Sequence, residues 1–164
     1  MKVISKQKNS KMCIICGLDN PIGLKASFYN MEDGSVMTKF QYREVDQSYP
    51  QRVHGGMISS MLDELAGRAL WVQDESQFGV TMTMETKFRK PIPYDVTLIG
   101  KGEITRTIGR FFIAKAYIMN QDGKIYAEYT GKFLKLPVDK ISKDINYHEE
   151  LCYDVKDDVT NINY

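Results

Sequence analysis

Only one segment of the chain has the pattern of a long helix, and this feature constrains the fold more than any other. At about 100° per residue, the apolar side chains between positions 56 and 72 fall on a single stripe. The stripe contains Ile58, Met61, Leu62, Leu65, Ala69 and Val72. The opposite side carries Gly56, Ser60, Asp63 and Gly67. Because this second face is small rather than charged, it permits the close approach of another backbone or a ligand.

Segments with the composition of β-strands surround this helix. Two of them, 24–30 and 35–42, flank a turn at Asp33-Gly34, and four longer ones follow the helix. The four longer segments are 79–90, 96–108, 110–120 and 125–136. Their short connections favour antiparallel neighbours. The sequence therefore predicts an α+β fold, in which five or six antiparallel strands curl around one helix that covers the sheet.

Composition narrows the class of protein. The net charge is +1, which gives no electrostatic footprint for nucleic acid or a membrane surface. No apolar run approaches the roughly 20 residues of a membrane span, and the N-terminus lacks the apolar core of a secretory signal. Three cysteines do not form a disulfide framework, so we expect a cytoplasmic protein. The polar residues 1–12 predict a flexible segment, 13–137 one domain, and 138–164 a loosely packed tail.

A group of residues at the start of the helix has the composition of a catalytic site. The stretch 54–56 reads His-Gly-Gly, Asp63 lies nine positions after the histidine, and Gly-Val-Thr occupies 79–81. Backbone N–H groups at a helix N-terminus can stabilise a developing negative charge. Glycines let a ligand approach that backbone closely, and a carboxylate can serve as base or nucleophile.

These motifs resemble those of the hotdog-fold acyl-CoA thioesterases, within the 4-hydroxybenzoyl-CoA thioesterase superfamily and near the phenylacetate-pathway enzymes. The stretch C-I-I-C-G-L-D-N-P-I-G-L at 13–24 also resembles an N-terminal motif common in such proteins. The resemblance covers about residues 13–137. It implies a hotdog fold and hydrolysis of an acyl-CoA to CoA and a carboxylic acid, with no metal and no cofactor beyond the CoA of the substrate.

The resemblance also implies roles for individual residues. Asp63 is the expected base or nucleophile, and the backbone N–H at Gly56 polarises the thioester carbonyl. His54 fixes the loop, and Thr81 helps to place the attacking water. The expected substrate-binding residues are Gly55, Ser60, Met82, Arg89 and Lys90. Many relatives carry an asparagine shortly before the histidine, and the candidates to replace it here are Gln47, Ser48 and Gln51.

Distance along the helix predicts a shared site. The helix start and Asp63 are about 10 Å apart on one helix, whereas both must lie near the same reacting atoms. A two-fold dimer resolves the conflict, because the helix start of one subunit can meet Asp63 of the other. We therefore expect a homodimer or a dimer of dimers.

Other interpretations compete with catalysis. The chain could bind acyl-CoA without hydrolysing it, as a sensor or scaffold, or could be a hotdog dehydratase, although the histidine pattern of that class is missing. Asp63 could be a structural acid bonded to Ser59 or Ser60. Met82 and Met84 have a pattern more typical of core residues than of an acyl pocket.

Two further pairs have structural interpretations. Glu64 and Arg68 have the spacing of an ion pair on a solvated helix face. Cys13 and Cys16 form a C-x-x-C motif, for which a structural or incidental role is favoured. The remaining cysteine and histidines, Cys152, His54 and His148, do not have the paired spacing of a zinc site.

Overall fold

The computed structural model describes all residues from Met1 to Tyr164. The strands are β1 (Val3–Lys6), β2 (Tyr29–Met31), β3 (Val36–Phe40), β4 (Gln47–Tyr49), β5 (Arg52–Val53), β6 (Gln77–Phe88), β7 (Leu98–Ile108), β8 (Phe111–Met119) and β9 (Ile125–Pro137). The helices are α1 (Gly55–Arg68), α2 (Val138–Ile141) and α3 (Tyr147–Leu151), with 3₁₀ turns at Glu44–Asp46 and Ala69–Val72.

Seven strands form one antiparallel sheet in the order β1-β2-β3-β7-β8-β9-β6, and β4 and β5 form a separate hairpin. The predicted α+β architecture with one long helix on an antiparallel sheet is confirmed. The sheet has one strand more than expected, because the N-terminal segment adds β1 beside β2.

Helix α1 lies across the concave face of the sheet and contacts β3, β6, β7, β8 and β9. Its predicted apolar stripe is buried from Ile58 to Ala69. The helix approaches the sheet closely at Gly102 of β7, where a Cβ atom would collide with the backbone carbonyl of Leu65. The regular helix ends at Arg68, and one 3₁₀ turn continues it to Val72, where the sequence predicted its end.

Both terminal segments pack against the rest of the domain in the structure. Residues Val3–Lys6 form a strand, and Gln7 and Asn9 are buried. The C-terminal segment returns to this region, where Ile162 is buried and Asn9 pairs with Tyr153. Polar residues dominate both segments, so neither has a clear strand pattern in the sequence.

Strand β6 forms one edge of the sheet and positions residues along the small face of α1. A bulge at Met82 shifts the alternation of its side chains by one residue. As a result, Thr81 before the bulge and Thr86 and Phe88 after it all contact α1. None of the helices, α1 included, has the length and apolar character needed to cross a bilayer.

Candidate active site

The carboxylate of Asp63 is held by hydroxyl groups from two strands. The Thr81 hydroxyl lies 2.9 Å from Oδ1 and 3.1 Å from Oδ2 of Asp63. The Tyr129 hydroxyl donates a second hydrogen bond to Oδ1. Oδ1 therefore has two donors, whereas Oδ2 shares only the longer bond from Thr81. Oδ2 is the oxygen with free capacity to accept a proton.

Tyr129 is a site residue that sequence reasoning missed. Its ring is buried under α1, and burial together with the hydrogen bond to Asp63 raises the pKa of its hydroxyl. The phenol therefore stays protonated and serves as a donor. The only sequence signal was a tyrosine on an inward position of β9, which is common in any sheet core.

The hydroxyls that bind Asp63 are not those of its helix neighbours Ser59 and Ser60. Ser60 donates instead to the carbonyl of Gly56 at 2.9 Å, and Ser59 to the Thr86 hydroxyl at 3.4 Å. The side chain of Asp63 therefore hydrogen-bonds to residues of the sheet and not to the serines of its own helix.

The start of α1 is capped by His54. Its Nδ1 accepts the N–H of Gly56 at 2.8 Å, which is a capping interaction that fixes the first turn. Among the first N–H groups of the helix, only that of Gly56 has a side-chain acceptor, and those of Gly55 and Met57 have none. Gly56, which was predicted to polarise the carbonyl, is therefore engaged by His54, and the neighbouring Gly55 is not.

Two separate cavities lie along the helix. The first, the Asp63 cavity, has a volume of about 250 Å³, and its lining includes Asp63, Gly67, Thr81, Cys13 and Cys16. The second, the helix-start cavity, measures about 330 Å³, and its lining includes Ser48, Arg52, Gly55, Phe88 and Lys90. Within one chain, Asp63 and Gly55 therefore line different cavities.

The predicted substrate-binding residues divide between these places. Gly55, Arg89 and Lys90 line the helix-start cavity, while Ser60 and Met82 line neither cavity. Arg89 is paired with Glu128 at 3.1 Å. Lys90 has no acidic partner, and loss of hydration together with the like charge of Lys124 lowers the pKa of its amine.

The methionines of β6 are not core residues in the single chain. Met82 and Met84 are 53% and 58% exposed. The expectation of core positions is wrong because β6 is an edge strand with no neighbour beyond it.

The expected Glu64–Arg68 ion pair forms, with 2.7 Å between Nε and Oε1, but not on a solvated face. Arg68 is buried because the N-terminal segment covers this side of α1. Folding of the N-terminal segment over α1 also brings Cys13 and Cys16 close to Glu64. Contact with Cys13 lowers the pKa of the Cys16 thiol and outweighs burial, which acts in the opposite direction.

The fold and the site lead to one class of protein. Residues 51–127, from just before the helix to the start of β9, match the family model described as the thioesterase superfamily. This span contains His54, the glycine pair, Asp63 and Thr81. Nearly half of the chain is thus similar to the thioesterase superfamily, and the domain has the hotdog fold.

Curated relatives are similar over much of this chain. The acyl-coenzyme A thioesterase THEM4 of Rattus norvegicus is 28% identical over 127 residues, which are 75% of this chain and 53% of that protein. The protein of the same name from Mus musculus is 30% identical over 118 residues, 70% of this chain and 49% of its own length. The chain therefore spans about half the length of these two relatives.

Solved structures share the fold. A crystal structure of a thioesterase superfamily protein has a TM-score of 0.70 at 24% identity, covering 74% of this chain and 59% of that one. A hypothetical thioesterase of Streptococcus pneumoniae, solved with coenzyme A, has a TM-score of 0.62 at 21% identity, covering 68% of this chain and 89% of that one.

Proposed function

We propose that the protein is an acyl-CoA thioesterase. In the reaction, the oxygen of water is added to the thioester carbonyl carbon and the C–S bond breaks, which yields a carboxylic acid and the thiol of CoA. The observation that carries the proposal is the carboxylate of Asp63, which lines a cavity and which Thr81 and Tyr129 hold mainly through Oδ1. A carboxylate that served only to bind an uncharged acyl chain would be costly to place there.

Asp63 acts through Oδ2, its less engaged oxygen. As a base, Oδ2 takes a proton from water while the water oxygen attacks the carbonyl carbon, and the C–S bond then breaks as the CoA sulfur leaves and is protonated. As a nucleophile, the same oxygen attacks the carbonyl carbon, the C–S bond breaks to release CoA, and water then hydrolyses the mixed anhydride. Both routes need a carboxylate with an unoccupied lone pair, and the bonding of Oδ1 by Tyr129 and Thr81 leaves Oδ2 in that state.

The N–H of Gly55 polarises the thioester carbonyl. The His54 side chain holds the N–H of Gly56 and leaves that of Gly55 uncapped at the positive end of α1, where Gly55 lines the helix-start cavity. In this proposal His54 has a positioning role, because it fixes the first turn and with it the direction of the neighbouring N–H. This moves the proposed donor by one residue from the sequence-based expectation.

A homodimer completes the site. Gly55 and Asp63 are eight residues apart on one helix, or roughly 12 Å. Thr81 lies beside Asp63 and Phe88 beside Gly55, and both belong to the edge strand β6. Antiparallel pairing of two β6 strands about a two-fold axis brings the Thr81 end of one strand toward the Phe88 end of the other. The Asp63 cavity of one subunit then adjoins the helix-start cavity of its partner.

The chemistry of the helix-start cavity supports a CoA substrate. Arg52, Arg89 and Lys90 line it, and they present positive charge to an anion. Lys90 lacks an acidic partner and is free to meet a phosphate. Ser48 lines the same cavity, whereas Gln47 and Gln51 do not, so Ser48 is the proposed replacement for the asparagine of many relatives. The pneumococcal thioesterase solved with coenzyme A supports the same ligand class.

A protein that binds acyl-CoA without hydrolysis is the second candidate. The exposed basic residues of the helix-start cavity would serve a binder as well as an enzyme. The paired hydroxyl donors on Asp63 favour the enzyme, because binding a thioester does not need an oriented carboxylate.

Release of thiol from a panel of acyl-CoAs, followed with a chromogenic disulfide, tests the proposal. We expect turnover by the native chain and a loss of about 10²–10⁴-fold in Asp63→Asn, because general-base catalysis contributes about that much. The matched control is Asp158→Asn in the exposed C-terminal segment, which should retain full activity. Binding of acyl-CoA with no thiol release from any member of the panel would instead establish the binder.

A further inference from the structure

A second cluster of reactive side chains lines the same cavity as Asp63. The sulfur atoms of Cys13 and Cys16 and a carboxylate oxygen of Glu64 all lie within 4.8 Å of one another. The three residues come from the N-terminal segment and from the helix position directly after Asp63. Nothing in the thioester chemistry above uses them. We propose that Cys13, Cys16 and Glu64 bind a thiophilic divalent cation of the Zn²⁺ class.

The spacing of the donor atoms suits such an ion. Zinc binds thiolate sulfur at about 2.3 Å and carboxylate oxygen at about 2.0–2.2 Å, so donors around a tetrahedral ion lie roughly 3.5–4 Å apart. Sγ of Cys13 is already 3.6 Å from Oε2 of Glu64. The widest separation among the three donor atoms, at most 4.8 Å, exceeds this range by about 1 Å, so the side chains must draw together slightly to bind an ion. Two cysteines and one carboxylate are a donor combination that zinc accepts.

Each donor is also held from behind by a hydrogen bond. The N–H of Ile15 points at Sγ of Cys13 at 3.3 Å, and the Ser10 hydroxyl contacts Sγ of Cys16 at 3.1 Å. Nε of Arg68 binds Oε1 of Glu64 at 2.7 Å and leaves Oε2 directed at the cysteines. Such outer partners orient metal ligands and strengthen binding.

The turn itself has the form that a metal pair requires. The N–H of Gly17 closes on the carbonyl of Cys13 at 2.8 Å, and a Cβ at this glycine would collide with the backbone of Cys13. The tight turn therefore presents both sulfur atoms on one side.

The charges balance when a divalent ion is present. Two thiolates and one carboxylate carry three negative charges, and the guanidinium of Arg68 beside them carries one positive charge. A divalent cation brings the sum to zero. Arg68 does not need to move, because it is anchored by Gln7 and the carbonyl of Lys8. The cavity side remains open, so water can take the fourth coordination position.

The ion would join the N-terminal segment to α1 and form part of the wall of the Asp63 cavity. The sequence expectation of no metal counted only cysteines and histidines as donors. Glu64 was outside that count, because only the folded N-terminal segment brings it to the C-x-x-C turn.

Cobalt binding to the full chain tests the proposal independently of hydrolysis. Protein dialysed against a chelator and kept reduced is titrated with Co²⁺, and the thiolate-to-cobalt absorption is recorded. We expect one equivalent per chain, displaced by Zn²⁺. Cys13→Ser and Cys16→Ser should abolish the band, and Glu64→Gln should weaken binding by more than about tenfold. Cys152→Ser is the matched control and should bind as the native chain does.

A second measurement uses only the native chain. Zinc-loaded, desalted protein should release one equivalent of zinc to a chromogenic chelator when its thiols are modified, and zinc should raise the Tm of the metal-free protein. The proposal is overturned if the reduced native chain gives no stoichiometric cobalt band. It is also overturned if the band persists in the double serine variant, or if reduced protein only forms a Cys13–Cys16 disulfide and binds no metal.

Discussion

The Thr81 hydroxyl lies within 3.1 Å of both carboxylate oxygens of Asp63, although 18 residues separate the two in the chain. This contact joins the middle of the long helix to the edge strand of the sheet. Since the edge strand is also where a second subunit would pair, the position of the carboxylate depends on the same element that would form the dimer. The chemistry of the site and its assembly therefore both depend on β6. Different substitutions can test the carboxylate and the subunit contact one at a time.

Tyr129→Phe tests whether the second hydroxyl donor positions the Asp63 carboxylate. A hydrogen bond to a charged group contributes about 1.5–3 kcal/mol, so we expect kcat to fall by about 10–100-fold. KM should change little, because Tyr129 is buried under α1 and lies away from the helix-start cavity. Tyr126→Phe on the same strand is the control, since Tyr126 makes no contact with Asp63. Equal kinetics in both variants would show that the Tyr129 bond is only structural.

Mixing two inactive variants tests the shared site. Asp63→Asn removes the carboxylate, and Gly56→Val disrupts the helix start, because a Cβ there would lie 2.9 Å from Nδ1 of His54. If sites are shared, a heterodimer holds one site with both lesions and one with neither. Its activity should be about half that of a native dimer. Purified heterodimers with no activity would mean that each chain carries its own site.

Met84→Lys tests whether β6 is the dimer interface. A lysine on an edge strand opposes strand pairing, because its charge cannot be buried against a neighbour. We expect the variant to sediment as a folded monomer and to lose thiol release, since neither cavity is then completed. Val45→Lys, at an exposed apolar residue outside the sheet, should leave the assembly unchanged. A stable Met84→Lys dimer would place the interface elsewhere.

Gly102→Ala tests the close contact between helix and sheet. The added methyl group would meet the Leu65 carbonyl, which is part of the helix backbone and cannot rotate away. Overpacking of this kind costs about 1–3 kcal/mol of unfolding free energy. Gly67→Ala is the contrasting change, because its methyl group would be 3.7 Å from Phe133 and a helix interior favours alanine by about 0.5–1 kcal/mol. Urea denaturation of both variants measures the difference, and equal stability would contradict the close contact.

The architecture was predictable from the sequence because local periodicity carries it. The single apolar stripe from Ile58 to Ala69 and the alternating strands after it are repeated over many residues, so individual exceptions did not change the fold class. The spacing of His54, Gly55 and Asp63 was also visible in the sequence, since all three belong to one helix and its N-terminal cap.

The tertiary structure alone decided which groups meet across long stretches of chain. Tyr129 reaches Asp63 over 66 residues because of the register of β9 between its neighbours β8 and β6. Glu64 reaches Cys13 over 51 residues because the N-terminal segment folds over the helix. Such contacts depend on where strands and segments end and turn. They leave no periodic pattern in the sequence from which they could be predicted. The sequence by itself therefore determined the fold class and the helix-borne half of the site, while packing between distant segments decided the partners of each carboxylate.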